Sequence, residues 1–396
     1  MKKQFPYFKS NPSSAYLDSA ATSQKPKSVL AKMDAYYQKN NANTGRGVST
    51  AGNLASQILA DNRQIVADFI GAGDAKSIIF SKNCTESLNL VAFGFARNIL
   101  KLGDIILVSR GVHHANLMPW QVIAKQTGAE LVAIELNQFG QIDLDDLAKK
   151  LSKKVKIVAV GHVSNVLGHQ NPVEQIVKMS HQFGAKVVVD GAQAVGHMPV
   201  DVTKLDADFY AFSAHKMYGP TGIGVLYGRV ELLEQMSPLI YGGGMISEVT
   251  FDWFELTKLP HRFEAGTVDV AGVVGLGEAI RFINKIGLNK IQQHDRDLVD
   301  QLISNLAEIP AVEVYGKNQL SLVSFNIKNV HPHDLAHVLD ENKITVRSGK
   351  HCAMPLSDHL RLPGTVRASF GIYNDSSDVD KLIAAVKTAV DKLYVK

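Results

Sequence analysis

Cysteine is scarce in this sequence, and long apolar runs are missing. The 396 residues include two cysteines, Cys84 and Cys352, which excludes a disulfide scaffold and a CxxC metal site. No apolar run approaches the ~18 residues of a membrane span, and Lys2 and Lys3 at the start are not followed by the apolar core of a secretory signal. We therefore expect a cytoplasmic protein of a reducing compartment, with no membrane association.

An excess of one charge sign is also missing. The chain has 42 Lys and Arg residues against 38 Asp and Glu residues, a net charge of +4, and the two signs are interleaved throughout. This balance predicts no binding to nucleic acid. At roughly 100–200 residues per domain, the length predicts two or three domains. The remaining class is a multi-domain protein of ordinary composition, most often an enzyme.

Short apolar runs alternate with helical patterns through the first two-thirds of the chain. The runs are nearly continuous in apolar character, as expected for strands that are covered on both faces. Helical periodicity predicts helices over 54–70 and near 115–127, 143–152 and 172–183. This alternation predicts the α/β class with a mostly parallel sheet. The predicted strands are 104–108, 130–134, 156–160, 186–190, 209–212 and 224–227.

The pattern changes after about residue 240. Residues 241–260 are glycine-rich and then aromatic, without a clear helical or strand period. We interpret them as a segment that projects from the large domain. Beyond them a smaller α+β unit is predicted. We divide the chain into a segment 1–20 that packs with the small domain, a large domain 21–280 and a small domain 281–396. The small unit's predicted helices are 287–308, 332–341 and 377–394, and its predicted strands are 312–315, 322–327 and 344–347.

Two residues at predicted strand ends are candidates for catalysis or cofactor binding. In α/β sheets, ligands bind beyond the carboxyl ends of the strands. Lys216 follows one such strand, and a lysine desolvated there can form a Schiff base, although a solvated loop lysine is the commoner case. Asp190 ends another strand, where it could pair with a pyridinium nitrogen or simply cap a turn.

Two further sites accompany them. The segment around Thr85 precedes a predicted helix over 88–100, whose free N–H groups could bind phosphate, although a plain N-cap at Asn83 or Thr85 is also common. His113 and His114 are adjacent, but no third ligand follows at metal-site spacing, so we predict no metal site.

The ordered set Thr85, His113, Asp190 and Lys216 carries a family resemblance. The sequence resembles the class V aminotransferase family of fold type I pyridoxal 5'-phosphate (PLP) enzymes, and within it the SUF-type (group II) cysteine desulfurases and their selenocysteine lyase relatives. The resemblance runs nearly end to end. Its segments are YLDSAATS from Tyr16, HHAN from His113, SN at Ser164, DGAQ from Asp190, SAHKMYGP from Ser213, RFEAGT from Arg262, RSGKHCA from Arg347 and RAS from Arg367.

The resemblance implies the fold, the cofactor and the residue roles. The fold would be fold type I, with the large domain binding PLP and the small domain carrying the nucleophile loop. Lys216 would hold PLP covalently and move the Cα proton of the substrate, while His113 would stack on the ring. Further implied contacts are Asp190 to the ring nitrogen, Gln193 to the phenolic oxygen, Thr85, Ser213, His215 and a second subunit's Thr267 to the phosphate, and Asn165 and Arg367 to the substrate carboxylate.

Cys352 distinguishes this family's desulfurases from its other members. It lies in a predicted loop after Lys350 and His351, and positive neighbours favour the nucleophilic thiolate. Relatives usually carry a histidine where Lys350 stands, and we expect the fixed charge of Lys350 to favour thiolate. The Arg46-Gly47 pair also lacks the histidines that often flank it in relatives. Cys84, next to a helix start, is expected to be inert.

The predicted function is that of a homodimeric, PLP-dependent cysteine desulfurase. It would convert L-cysteine to L-alanine, with a persulfide on Cys352 that passes to a sulfur-acceptor protein for iron–sulfur cluster assembly. The alternatives are a selenocysteine lyase, another class V family member, or a non-catalytic scaffold in a sulfur-transfer complex. The presence of Lys216, Asp190, Cys352 and Arg367 together argues against the scaffold.

Overall fold

The structure is a computed structural model and describes residues 1–45 and 48–394. Its strands are β1 Ala15–Tyr16, β2 Ile78–Ser81, β3 Ile105–Ser109, β4 Glu130–Ile134, β5 Val155–Gly161, β6 Lys186–Asp190, β7 Phe209–Ser213, β8 Gly224–Gly228, β9 Ile246–Val249, β10 Phe254–Leu256, β11 Val312–Tyr315, β12 Leu322–Ile327, β13 Ile344–Thr345, β14 Arg347–Gly349 and β15 Thr365–Ser369.

Helices surround the strands. They are α1 Pro6–Ser10, α2 Lys27–Lys39, α3 Thr50–Phe69, α4 Cys84–Leu90, α5 Arg97–Ile99, α6 Met118–Thr127, α7 Leu144–Lys150, α8 Val173–His181, α9 Val230–Leu233, α10 Val270–Ile286, α11 Leu288–Ala307, α12 Pro332–Glu341, α13 Met354–His359 and α14 Ser376–Leu393. Among the described residues, no helix combines the length and apolarity needed to cross a bilayer.

The large sheet has the order β2-β8-β7-β6-β5-β3-β4. Strands β3 to β7 run parallel to one another, and β8 runs antiparallel to both of its neighbours. The predicted α/β class with a mostly parallel sheet is therefore confirmed. Because the parallel strands share one direction, the loops after β5, β6 and β7 meet at one edge of the sheet.

Apolar residues cover both faces of this sheet, as the continuous apolar runs predicted. In β5, Val158 and Val160 join one buried cluster, whereas Ile157 and Ala159 join the cluster on the opposite face. Alternation of this kind follows from the two-residue period of a strand. The sheet is thus a rigid platform for the loops at its carboxyl edge.

A second sheet lies in the C-terminal third of the chain. It is antiparallel with the order β11-β12-β15-β14, and α11, α12 and α14 supply the apolar side chains that pack on it. The N-terminal strand β1 pairs with β13, and Asp18 forms a bridge with Ser369. Phe5, Phe8 and Tyr16 also pack into an apolar cluster of the large sheet, so residues 1–20 contact both units. The expected packing with the small domain and the domain bounds stay predictions.

The stretch 241–260 contains the short antiparallel pair β9 and β10, at the place where the resemblance implies an extra hairpin. The structure differs from the expected elements in two places. The strand expected over 344–347 is split into β13 and β14. The helix expected over 88–100 begins at Cys84 and contains a π-helical turn over Val91–Ala96, where Gly94 lies so close to Ser237 that a Cβ would be 2.3 Å from its carbonyl oxygen.

Candidate active site

A cavity of about 260 Å³ opens at the carboxyl edge of the large sheet. It is lined by residues after β6 and β7, by the start of α4 and by the loop between β14 and α13. All of the predicted site residues except Thr267 line it, in agreement with the rule for ligand sites in α/β sheets. They are Thr85, His113, Asn165, Asp190, Gln193, Ser213, His215, Lys216, Cys352 and Arg367.

Lys216 lies in a 3-10 turn directly after β7. Among the described residues its amine has no hydrogen-bond or ion-pair partner, and its half-buried side chain lines the cavity. Burial lowers the pKa of Lys216 below its usual range, although the nearby Asp190 carboxylate opposes the shift. An unpartnered amine with a lowered pKa is suited to attack a carbonyl or to accept a proton.

Asp190 ends β6 and presents one free carboxylate oxygen. Its Oδ1 accepts from the Ala192 N–H at 3.0 Å and lies 3.4 Å from the Cys84 Sγ, which donates to it. Within the described residues Oδ2 has no such partner. Burial and the adjacent carboxylate raise the pKa of the Cys84 thiol well above its ordinary value. Cys84 is thus a protonated donor that holds Asp190, in keeping with the expectation that it is inert as a nucleophile.

His113 is held as a neutral imidazole. Its Nδ1 accepts from the Ala115 N–H at 3.1 Å, which places the ring proton on Nε2. Burial, and then the charge of Lys216, lower the pKa of His113 to about 4. A neutral ring at the cavity wall can stack on a planar ligand without adding a second positive charge beside Lys216.

Three predicted phosphate contacts line the same side of the cavity. Ser213 accepts from the Cys84 N–H at 2.8 Å, which ties the end of β7 to the start of α4. Close packing makes this contact possible, since a Cβ at Gly224 would be 2.3 Å from the Asn83 carbonyl carbon. Burial lowers the pKa of His215 to about 4, so it is a neutral donor near pH 7. Thr85 follows Cys84 in the first turn of α4.

Gln193 and Asn165 are already engaged by protein groups. The Gln193 Nε2 donates to the Ala20 carbonyl at 2.9 Å, and its buried Oε1 has no partner among the described residues. The Asn165 Nδ2 donates to the His351 carbonyl at 2.7 Å. Each amide nitrogen carries a second N–H, which is the group that could contact a ligand.

The loop that carries Cys352 is shaped by strained backbone. His351 and Cys352 have φ values of +49° and +56°, a left-handed conformation that costs a non-glycine residue of order 1–3 kcal/mol. Contacts with the large sheet's loops hold it. The His114 N–H donates to the Cys352 carbonyl at 2.7 Å, and the Met354 N–H donates to His114 Nε2 at 3.0 Å. The loop is therefore fixed at the cavity mouth by residues distant in sequence.

The cation next to the Cys352 sulfur is Arg347. Its Nη2 lies 3.9 Å from the Cys352 Sγ. Lys350, expected to favour thiolate, instead pairs with Asp358, at 3.1 Å from Nζ to Oδ1. The influence of Lys350 stays a prediction, and the structure adds Arg347 as the group in contact.

Sequence reasoning missed Arg347, His114 as an anchor, and Asp18. Arg347 begins β14, whereas the sequence predicts it as the last residue of one strand over 344–347. The sequence singles out His114 only within the HHAN segment and as a rejected metal ligand. Asp18 pairs with Arg367 across 349 positions of the chain, at 3.3 Å from Nη2 to Oδ1. The segment YLDSAATS was noted for its resemblance, which was the one available signal for Asp18.

Two predictions cannot be placed in the cavity. Thr267 does not line it, so the expected contact from a second subunit stays a prediction. Arg46 and Gly47 lie outside the described residues. Among the residues that are described, no group of histidine, cysteine and carboxylate side chains could hold a metal ion.

The residues present fit PLP. Lys216 offers a free amine for its aldehyde, and Asp190 a free carboxylate oxygen for its ring nitrogen. Gln193, which lines the cavity, offers an unpartnered amide oxygen and a second N–H. Neutral donors at the start of α4 and after β7 suit a phosphate. The cavity thus supplies each type of group that PLP requires.

Comparisons with known proteins identify the family of this chain. A family profile described as aminotransferase class-V matches residues 15–382. A probable cysteine desulfurase of Halalkalibacterium halodurans is 47% identical, over 93% of this chain and 91% of its own. One from Pyrococcus abyssi is 47% identical, over 96% and 94%. The solved apo structure of a cysteine desulfurase from Thermococcus onnurineus NA1 superposes with a TM-score of 0.95 at 44% identity, covering 99% of this chain and 98% of that one. The family match spans most of the sequence, and the chain belongs to the aminotransferase class-V family.

Proposed function

We propose that the protein is a PLP-dependent cysteine desulfurase that converts L-cysteine to L-alanine and forms a persulfide on Cys352. One observation carries the proposal: a single cavity brings together the free amine of Lys216, the carboxylate of Asp190, the guanidinium of Arg367 and the thiol of Cys352. The relatives named as cysteine desulfurases support the same reaction.

Lys216, Asp190 and His113 serve the first half of the reaction. When bound, PLP supplies an electron sink for negative charge that develops at the substrate Cα. Asp190 would hold the proton of the ring nitrogen, and the neutral ring of His113 would stack on the cofactor. Lys216, with its lowered pKa, takes the Cα proton, since it is deprotonated more readily than a solvated lysine.

Cys352 serves the second half. Its thiolate attacks the substrate sulfur, an S–S bond forms and the C–S bond breaks. The electron pair of the C–S bond stays with the substrate Cβ. Protonation of Cβ and return of a proton to Cα then give alanine. Arg347, 3.9 Å from the sulfur, stabilises negative charge there, and Arg367 binds the substrate carboxylate.

The test is product formation from L-cysteine by the purified holoenzyme in the presence of a reductant. We expect equal amounts of alanine and sulfide from the wild type and from Cys84→Ser. We expect neither product from Cys352→Ser. A Cys352→Ser enzyme as active as the wild type would show that sulfur leaves by another route, and activity only with selenocysteine would assign a selenocysteine lyase.

We also propose a homodimer in which Thr267 contacts the partner's phosphate site. Large apolar side chains are exposed around the β9–β10 pair, with Phe251 fully exposed, and this supports a contact with a second copy. Light scattering at micromolar concentration tests the dimer. If the protein is dimeric, mixing Thr267→Ala with an inactive Lys216→Ala variant should give the activity of a hybrid site, whereas a monomer would show no dependence on mixing.

The sulfur acceptor and the compartment are the last parts of the proposal. Both cysteines are free, and a nucleophilic thiol must stay reduced, which supports a cytoplasmic location. The acceptor would be a protein of an iron–sulfur assembly system of the SUF type. Transfer of ³⁵S from labelled L-cysteine to an acceptor thiol, lost in Cys352→Ser, tests this step.

A further inference from the structure

Arg367 is almost completely buried and incompletely paired. Only 2% of the residue's surface is exposed. The Nη1 donates to the Asn165 carbonyl at 2.6 Å, and the Nη2 donates to Asp18 Oδ1 at 3.3 Å. The Nε is buried and has no partner among the described residues. Within the described residues, the guanidinium thus has one carboxylate partner, at a long contact, and its Nε–H is unsatisfied.

Other charges surround this pair. Arg347, on the neighbouring strand β14, and Lys216 face both Asp18 and Arg367, and the Cys352 sulfur also faces Arg367. Burial raises the pKa of Asp18 above its usual range although these cations lower it. Burial also lowers the pKa of Arg367 to about 10. Tyr16, two residues before Asp18, has its pKa raised mainly by burial and is neutral near pH 7. Burial therefore disfavours the ionised form of both Asp18 and Arg367, because neither group is well hydrated.

We propose that Asp18 is the resting counter-ion of Arg367, and that the substrate carboxylate must share the guanidinium with it. The inference rests on the proposed function, which gives Arg367 the substrate carboxylate. Asp18 does not itself line the cavity, so it acts through Arg367 and is a positioning residue. Its charge sets how strongly the site prefers amino acids to amines.

The direction of the effect follows from electrostatics. An ionised Asp18 already neutralises much of the Arg367 charge in the empty site. An arriving carboxylate therefore gains less from Arg367 and is also repelled by Asp18. Replacing Asp18 by the nearly isosteric asparagine leaves a buried cation without its counter-ion. A carboxylate ligand should then bind more tightly, by roughly tenfold for a charge removed at this range in a partly polar site.

The experiment compares two probes that differ only in the carboxylate. L-Alanine and ethylamine share the amino group and the methyl group, and each changes the absorbance of the holoenzyme when it binds. The ratio of the ethylamine Kd to the L-alanine Kd isolates the carboxylate contribution. A loss of general packing would weaken both probes and leave this ratio unchanged.

For Asp18→Asn we expect the ratio to rise roughly tenfold, with the ethylamine Kd changed less than twofold. Asp18→Ser should move it in the same direction, and Asp18→Glu should return it toward the wild-type value. Glu341→Gln removes an exposed carboxylate that pairs with Lys392 at 3.3 Å, and it should leave the ratio unchanged.

Two results overturn the inference. A ratio that is unchanged or lower in Asp18→Asn would mean that Asp18 only orients Arg367, and a shift of equal size in Glu341→Gln would mean that the effect is not local. The proposed function has a separate sign of failure. If the wild type binds L-alanine no more tightly than ethylamine, Arg367 does not hold a substrate carboxylate.

Discussion

The two cysteines of this chain line one cavity, and their surroundings give them opposite chemistry. Cys84 is 5% exposed, and its Sγ donates to the Asp190 carboxylate. Cys352 is half-buried at the cavity mouth, where its sulfur lies 3.9 Å from the Arg347 guanidinium. A carboxylate and burial disfavour a thiolate, whereas a cation and partial exposure favour it. Burial first, and the Asp190 carboxylate second, keep Cys84 protonated, so the surroundings and not the residue type separate the two cysteines.

The supports of the two cysteines differ as well. Cys84 begins a helix that packs directly on the large sheet, with Gly224 allowing backbone contact. Cys352 lies on a loop in the left-handed conformation that cross-chain hydrogen bonds hold in place. The cofactor half of the site, around Asp190 and Lys216, is therefore part of the large sheet. The sulfur half, the loop of Cys352, is held against that sheet by hydrogen bonds. A substitution that disrupts one half should leave the other intact.

The largest expected effect separates proton transfer from sulfur transfer. Cys352→Ala should still exchange the Cα proton of L-cysteine with deuterium, because Lys216 and Asp190 are intact. Its release of alanine should fall by roughly 10²–10⁴-fold, the usual contribution of a lost nucleophilic or acid–base group. Mass spectrometry of recovered cysteine and product alanine measures both. Lys216→Ala is the matched contrast and should lose exchange and desulfuration together; exchange that survives in it would remove Lys216 from the proton-transfer role.

A second substitution should impair PLP binding and leave the Cys352 loop unchanged. Gly224→Ala places a Cβ 2.3 Å from the Asn83 carbonyl carbon, so the start of α4 must shift. We expect the purified variant to lose most of its PLP absorbance while Cys352 is alkylated at the wild-type rate. Gly222→Ala is the control for added bulk, since nothing lies within 4 Å of its Cβ position, although its φ of +83° adds strain. Full PLP occupancy in Gly224→Ala would mean that the phosphate side tolerates the shift.

Alkylation should distinguish the two thiols by pH. The raised pKa of Cys84 keeps it protonated as the pH rises through 8, and the thiol form does not react. Iodoacetamide at pH 8 should therefore label Cys352 alone in the folded protein and both residues after denaturation. Peptide mass mapping gives the sites. Labelling of Cys84 at a comparable rate in the folded protein would contradict its assignment as a buried donor to Asp190.

The smallest effect concerns the two cations near Cys352. Arg347→Gln removes the group in contact with the sulfur and should slow alkylation at pH 7 several-fold, on the order of the effect of one nearby charge. Lys350→Gln should change the rate by less than about twofold, because Asp358 already partners this amine. Time courses of alkylation, quenched at intervals, measure the rate for each variant. A larger effect from Lys350 than from Arg347 would restore the expectation drawn from the sequence.

Much of the cofactor half could be predicted because its residues lie at strand ends and a helix start, which local sequence patterns indicate. Asp190 and Lys216 follow buried strands, and strand ends are where α/β sheets place their ligands. The helix start near Thr85 has its own capping signature, with Asn83 accepting from the Glu86 N–H. The resemblance then fixed which of several strand-end residues to choose.

The sulfur half and the carboxylate site depend on contacts between distant segments. Whether Arg347 or Lys350 meets the sulfur depends on the left-handed backbone at His351 and Cys352, a conformation that non-glycine residues seldom adopt. Asp18 reaches Arg367 because β1 pairs with β13 and because Asp18, just after β1, forms a bridge with Ser369 at the end of β15. Neither arrangement has a local sequence pattern, so Arg347 and Asp18 could not be assigned before the fold was known.

The hydrogen bonds between His114 and the loop around Cys352 also have a kinetic consequence. The His114 N–H is donated to the Cys352 carbonyl, and the Met354 N–H is donated to the His114 ring. Neither amide can exchange its hydrogen with water until these bonds open, and one local opening releases both. Two peptides more than 200 positions apart should therefore show the same protection in native-state hydrogen exchange, and should behave as one cooperative opening unit.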